Sequence, residues 1–199
     1  DDGRSKLLTP GVSYSFVTED YPPRPLEGHR SSATLRGAVE GLVSDTSFLQ
    51  FYGNTKWVFG LWSDGRLLTR AEAGATLIDH LDSLPASVRF FAGGDTSVRG
   101  YAYNSLGPTD PLGAVVGGEN LMVGSIELDQ MIATDWSLAT FVDSGNAFDE
   151  ISDFESATGV GIGVRWFSPL GPIRFDVAVP LQSDAPDEYR IHITLGPDL

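Results

Sequence analysis

The sequence predicts an antiparallel transmembrane β-barrel of about nine strands, and three observations carry that prediction. Period-two alternation of apolar and polar residues runs through most of the 199 residues, and long helical periodicity is absent. The polar face carries full charges at mid-strand, at Arg36, Glu40, Lys56, Arg70, Glu72, Arg165, Arg174, Asp176 and Arg190, opposite a face rich in Leu, Phe and Trp. A lipid-facing exterior around a wet interior requires that arrangement. All four Trp (Trp57, Trp62, Trp136 and Trp166) stand in strands or at their ends, where an aromatic girdle lies. A soluble antiparallel sheet with one solvated face is the alternative that the pattern leaves open.

In chain order, strands are expected over 8–18, 31–43, 48–61, 66–78, 115–129, 135–143, 160–166, 173–179 and 189–195. Many meet the roughly 9–11 residues that a tilted strand needs to cross a bilayer. Glu127 and Asp129 fall on the polar side of the fifth. Trp136, Leu138, Thr140 and Val142 share one side of the sixth. In the seventh, Val160, Ile162, Val164 and Trp166 oppose Gly161, Gly163 and Arg165. In the eighth, Ile173, Phe175, Val177 and Val179 oppose Arg174, Asp176 and Ala178. In the last, Ile191, Ile193 and Leu195 oppose Arg190, His192 and Thr194. Tight turns are expected at 44–46 and 168–172, and a longer loop at 19–28. Residues 80–114 form a connection far longer than a hairpin needs, and such loops are usually functional.

Composition excludes several classes. Thirteen Lys+Arg against 27 Asp+Glu give a net charge of −14, against binding a nucleic-acid backbone. With no cysteine, disulfides, Cys-ligated zinc and thiol catalysis are out. No apolar run is long enough for a transmembrane helix. The polar start, Asp1 to Lys6, is not a secretory signal, so either a signal was removed or the chain begins inside a longer parent. His29, His80 and His192 show no metal spacing, and no Gly-x-Ser-x-Gly elbow is present. Gly159-Val160-Gly161-Ile162-Gly163 alternates along a strand with no helix after it, unlike a dinucleotide loop. The acidic residues Asp149, Glu150 and Asp153, and Asp184, Asp187 and Glu188, fall in turns without EF-hand spacing and read as solvated loop charge. No cofactor is expected.

The long loop contains Arg89-Phe90-Phe91-Ala92-Gly93-Gly94-Asp95-Thr96-Ser97-Val98-Arg99-Gly100-Tyr101. This string resembles the sixth extracellular loop of the outer-membrane assembly barrels, the BamA/TamA superfamily, whose hallmark is Val-Arg-Gly-Phe/Tyr. Phe141-Val142-Asp143-Ser144-Gly145 resembles the family's Phe-x-Asp-x-Gly motif. Residues 161–172 resemble its penultimate hairpin, with Asp176 following. The ending Leu195-Gly196-Pro197-Asp198-Leu199 and the Phe90-Phe91 lead-in are similar to the TamA branch. The match covers about residues 85–199; residues 1–84 carry only the barrel pattern.

The resemblance implies a sixteen-stranded barrel preceded by periplasmic POTRA domains. This chain then holds roughly strands eight to sixteen, the C-terminal part, without the POTRA domains and N-terminal strands. It implies that the loop folds into the lumen through Val98, Arg99, Gly100 and Tyr101, with Arg99 pairing to Asp143. Gly145, Glu127, Arg165 and Asp176 are the other lumen candidates. Guanidinium suits a buried bidentate carboxylate contact. The last strand, with Tyr189, Ile191, Ile193, Leu195 and Gly196, is implied to form a weak closing seam that opens laterally and adds an incoming strand by β-augmentation. The implied role, without catalysis, is insertion or secretion of unfolded barrel and autotransporter substrates in the outer membrane of a Gram-negative bacterium. Implied partners are outer-membrane lipid and a TamB-like inner-membrane protein. A two-partner secretion transporter and a passive porin are the alternatives.

Overall fold

Strand alternation builds one continuous sheet. The computed structural model describes residues 6–20, 24–41, 43–168, 171–182 and 189–199. Its nine strands are β1 (Gly11–Glu19), β2 (Gly28–Ala38), β3 (Phe48–Trp62), β4 (Gly65–Leu77), β5 (Asn120–Ala133), β6 (Trp136–Phe148), β7 (Ala157–Ser168), β8 (Gly171–Pro180) and β9 (Arg190–Leu195). Each pairs antiparallel with the next, and the strand order is the chain order. β1 and β9 stand at the two ends of that order. No helix among the described residues is long and apolar enough to cross a membrane.

Alternation divides the sheet into two unlike faces. The outer face carries Leu49, Phe51, Trp57, Phe59, Ile126, Leu128, Leu138, Ile162, Phe175, Ile191 and Ile193, all exposed. An apolar exterior of this extent suits hydrocarbon rather than water. Trp62, Trp136 and Trp166 lie on the same face near the β3–β4, β5–β6 and β7–β8 turns, and Trp136 stacks on Trp166 at 5.9 Å between centroids. Trp57 stands further along β3 from that turn and stacks on His29 at 4.5 Å. The aromatic residues thus mark one rim of the sheet, where amphipathic rings favour a membrane interface.

The inner face buries its polar groups: Gln50, Arg66, Ser125, Glu127, Asp129, Ser137, Asp143, Arg165, Asp176 and His192. The sheet curls around this face. Asp198, past β9, forms a 2.6 Å ion pair with Arg66 of β4, and a Cβ at Gly28 of β2 would crowd the Leu199 side chain.

Several boundaries differ from the sequence expectation. The fifth strand begins at Asn120 rather than Val115, because Val115 and Gly118 are bridged to Thr109 and Phe90 inside the loop. The sixth runs on to Phe148, past Asp143. Glu40 lies beyond β2, exposed in the following turn, and so is not a mid-strand charge. Tyr189 lies just before β9. The connection from β4 to β5 is longer than 80–114 and spans 78–119. Part of the 168–172 turn and the acids Asp184, Asp187 and Glu188 lie outside the described residues.

Candidate functional site

The long loop folds back onto the inner face and carries its own apolar anchor. Phe90, Ala92 and Val98 pack with Leu121, Val123 and Ala147 of β5 and β6 into one buried cluster. Phe90 lies above Gly74 of β4, where a Cβ would strike its ring, and against Tyr52 of β3 at 6.2 Å. Within the loop, Phe90 bridges Gly118 and Ala92 bridges Leu106 as short antiparallel pairs. Arg89 fastens the base by donating to the carbonyls of Leu84 (2.8 Å) and Val116 (3.2 Å). Arg70 of β4 donates to the Ser97 carbonyl.

These contacts deliver Arg99 to the β5–β8 wall. Its Nε and Nη2 donate to the two oxygens of Asp143, at 2.7 and 3.0 Å. Its backbone N–H donates to the same carboxylate at 3.0 Å. Nη1 reaches Glu127 at 2.8 Å and Asp176 at 3.1 Å. Arg165 pairs with the other side of Glu127 (2.9 Å) and of Asp176 (2.5 Å). The cluster therefore holds two guanidinium groups against three carboxylates. Ser125, which donates to Asp143 at 2.5 Å, and the Arg99 amide help to satisfy the excess negative charge. Asp143 is 0% exposed, so leaving it unpaired is costly. Burial alone disfavours the Arg99 charge, but Asp143, Glu127 and Asp176 outweigh it and hold its pKa above the ordinary value.

Phe141, two residues before Asp143, supplies the floor. The Arg99 guanidinium carbon sits 3.3 Å from its ring centroid. A desolvated cation–π contact of this kind is worth about 2 kcal/mol. Phe141→Leu is accordingly expected to lower the barrel's heat stability by about 1–2 kcal/mol with the carboxylate contacts retained. A melt in detergent checks this.

A run of bare positions on β7 makes the docking possible. A Cβ at Gly159 would overlap the Arg99 carbonyl oxygen, one at Gly161 the Phe141 ring, and one at Gly163 the Asp176 carboxylate and Arg165. Gly100 has φ +97°, a conformation that L side chains rarely adopt, and it turns the loop where an added Cβ would crowd the Val179–Pro180 backbone. Tyr101 donates to the Thr158 carbonyl at 3.4 Å.

The structure thus brings Val98, Arg99, Gly100, Tyr101, Asp143, Glu127, Arg165 and Asp176 to one place. Gly145 is different: a Cβ there would overlap the Met122 carbonyl, so it is a close-packing position between β5 and β6. Ile191, Ile193 and Leu195 lie on the outer face of β9, exposed, and Tyr189 is exposed beside it. Gly196 continues past the strand with φ +143° and its N–H on the Pro172 carbonyl.

Sequence reasoning missed a second ionic cluster near the short-turn rim. Asp129 of β5 pairs with Arg24 (2.9 Å) and Arg66 (3.4 Å) and accepts from Ser137 (2.8 Å). Asp198 pairs with Arg66 and Arg174. Partners 24, 66, 129, 174 and 198 share no local spacing, so only the individual mid-strand charges were visible. It also missed His192, which meets Asp95 and Gly100 of the loop.

Three comparisons bear on this arrangement. The family described as the Omp85 superfamily domain matches residues 1–198. The outer membrane protein assembly factor BamA of Nitratidesulfovibrio vulgaris is 32% identical over 137 residues, 64% of this chain and 17% of that protein. BamA of Neisseria meningitidis serogroup B is 29% identical over 213 residues, 86% of this chain and 26% of that protein. Among solved structures, BamA from Haemophilus ducreyi lacking POTRA domains 1–3 superposes with a TM-score of 0.76 at 22% identity, over 94% of this chain and 42% of that one. The chain therefore spans a minor part of the length of each.

Proposed function

Because the chain belongs to the Omp85 superfamily, we propose that it is the C-terminal part of a sixteen-stranded outer-membrane barrel that assembles or inserts other outer-membrane proteins. The curated relatives are outer membrane protein assembly factors. The observation that carries the reading is the loop. It occupies the inner face and is pinned there through Arg99 to Asp143, Glu127 and Asp176. A passive pore needs that space open; an assembly factor needs a rigid wall beside a strand edge that can exchange.

β9 is that edge. It is six residues long and ends the strand order. An unpaired or weakly paired edge offers N–H and C=O groups to an incoming strand, so no catalytic group or cofactor is needed. The narrower reading, a TamA-type factor that serves autotransporters with a TamB-like partner, is supported by the Phe90-Phe91 lead-in and the Leu195–Leu199 ending. The periplasmic region of the full protein decides it: three POTRA domains agree with TamA, and a plug helix favours two-partner secretion.

The test is reconstitution of the full-length protein in liposomes with an unfolded barrel substrate. The expected result is faster substrate folding with no steady conductance. A steady open pore with the loop intact, and no effect on folding, contradicts the proposal.

A further inference from the structure

We propose that His192 is a positioning residue that ties the Arg99 loop to the edge strand β9, so that loop docking and edge placement are one coupled equilibrium. The inference rests on the reading that β9 is the edge that moves. His192 points inward from the middle of β9 and is 5% exposed. Its Nε2 accepts the Gly100 N–H at 3.2 Å, and its Nδ1 meets the Asp95 carboxylate. One ring thus engages the loop on both sides of Arg99. The Gly100 amide can only donate, so Nε2 is the acceptor and Nδ1 carries the proton toward Asp95. The pair of contacts selects one tautomer and one ring orientation.

His192 is paired across the strands with Asp176, which itself holds Arg99 at 3.1 Å. β8 grips the loop through the Asp176 carboxylate, and β9 grips it through the adjacent His192 ring. β9 has six residues, against nine to fifteen in the other strands. With so short a ladder, a side-chain tether through the buried His192 ring is a large share of what fixes its position. Coupling between two elements is reciprocal, so loosening either one must loosen the other.

Amide hydrogen exchange on the full-length protein in native membrane or detergent tests this with three variants. His192→Phe keeps the ring volume and removes both contacts. It is expected to raise exchange at Gly100 and along 190–195 by about fivefold, the factor that one net hydrogen bond supplies. His192→Gln keeps an acceptor near Nε2 and is expected to hold Gly100 near wild type. Asp95→Ala, made in the loop, is expected to raise exchange in β9. Increases confined to the element that carries the substitution, or a His192→Gln effect equal to that of His192→Phe, overturn the proposal. Substrate folding is measured on the same samples. Coupled exchange with unchanged folding upholds the tether and counts against β9 as the moving edge; uncoupled exchange defeats the tether whatever folding does.

Discussion

Arg99→Ala is expected to free the long loop from the inner wall, to lower the barrel's heat stability by about 3–5 kcal/mol and, on the proposed function, to stop the full-length protein from assembling substrates. The magnitude follows from removing one partner of a buried ionic cluster, which strands the others in a medium that cannot solvate them. Three carboxylates then face one guanidinium, with Asp143 at 0% exposure. Arg99→Lys is expected to recover little. An ammonium cannot span both oxygens of Asp143 while reaching Glu127 and Asp176, and it loses the guanidinium's contact over the Phe141 ring. Heat-modifiable migration on gels and protease access to the loop read the structural effect; complementation in cells reads assembly. Wild-type stability and activity in Arg99→Ala contradict the lock.

Gly159→Ala is expected to have an effect of the same kind from the opposite side. Its added methyl would overlap the Arg99 carbonyl, a backbone atom, so the loop itself must lift. Overpacking of this sort costs roughly 1–3 kcal/mol, and any lift also lengthens the Arg99–Asp143 contacts. Gly124→Ala is the control, since a Cβ there meets nothing nearer than the Arg70 carbonyl at 4.0 Å. The prediction is loop release for Gly159→Ala, with Gly124→Ala close to wild type. Equal behaviour of the two, read by loop proteolysis, contradicts the tight-docking account.

The strands were legible because lipid outside and charge inside force alternation, and alternation survives even where propensity is weak. Legibility failed where that contrast fades. Beyond Asp143, the inner face of β6 carries Gly145 and Ala147, which look neither polar nor apolar enough to extend the pattern. At 115–119 the pattern of a strand belongs instead to pairing inside the loop. The Arg99 cluster was legible only because motifs name Arg99 and Asp143; distance along the chain says nothing about their contact. The Gly159–Gly163 run was visible as sequence, yet its purpose depends on the loop lying across it. His192 and Asp95 are 97 residues apart, and Arg66, Asp129 and Asp198 are brought together by the curl of the sheet. No local signal announces such pairings.

If Arg99 and Asp143 hold the loop to the wall as one unit, losing the second after the first costs little more. A double-mutant cycle measures this: Arg99→Ala, Asp143→Ala and the pair, each followed by heat unfolding of the full barrel. The expected coupling is about 2–3 kcal/mol, with the double variant far less damaged than the sum of the singles. Additive losses, within about 0.5 kcal/mol, would show that the two residues stabilise the barrel independently, and the lock would not exist.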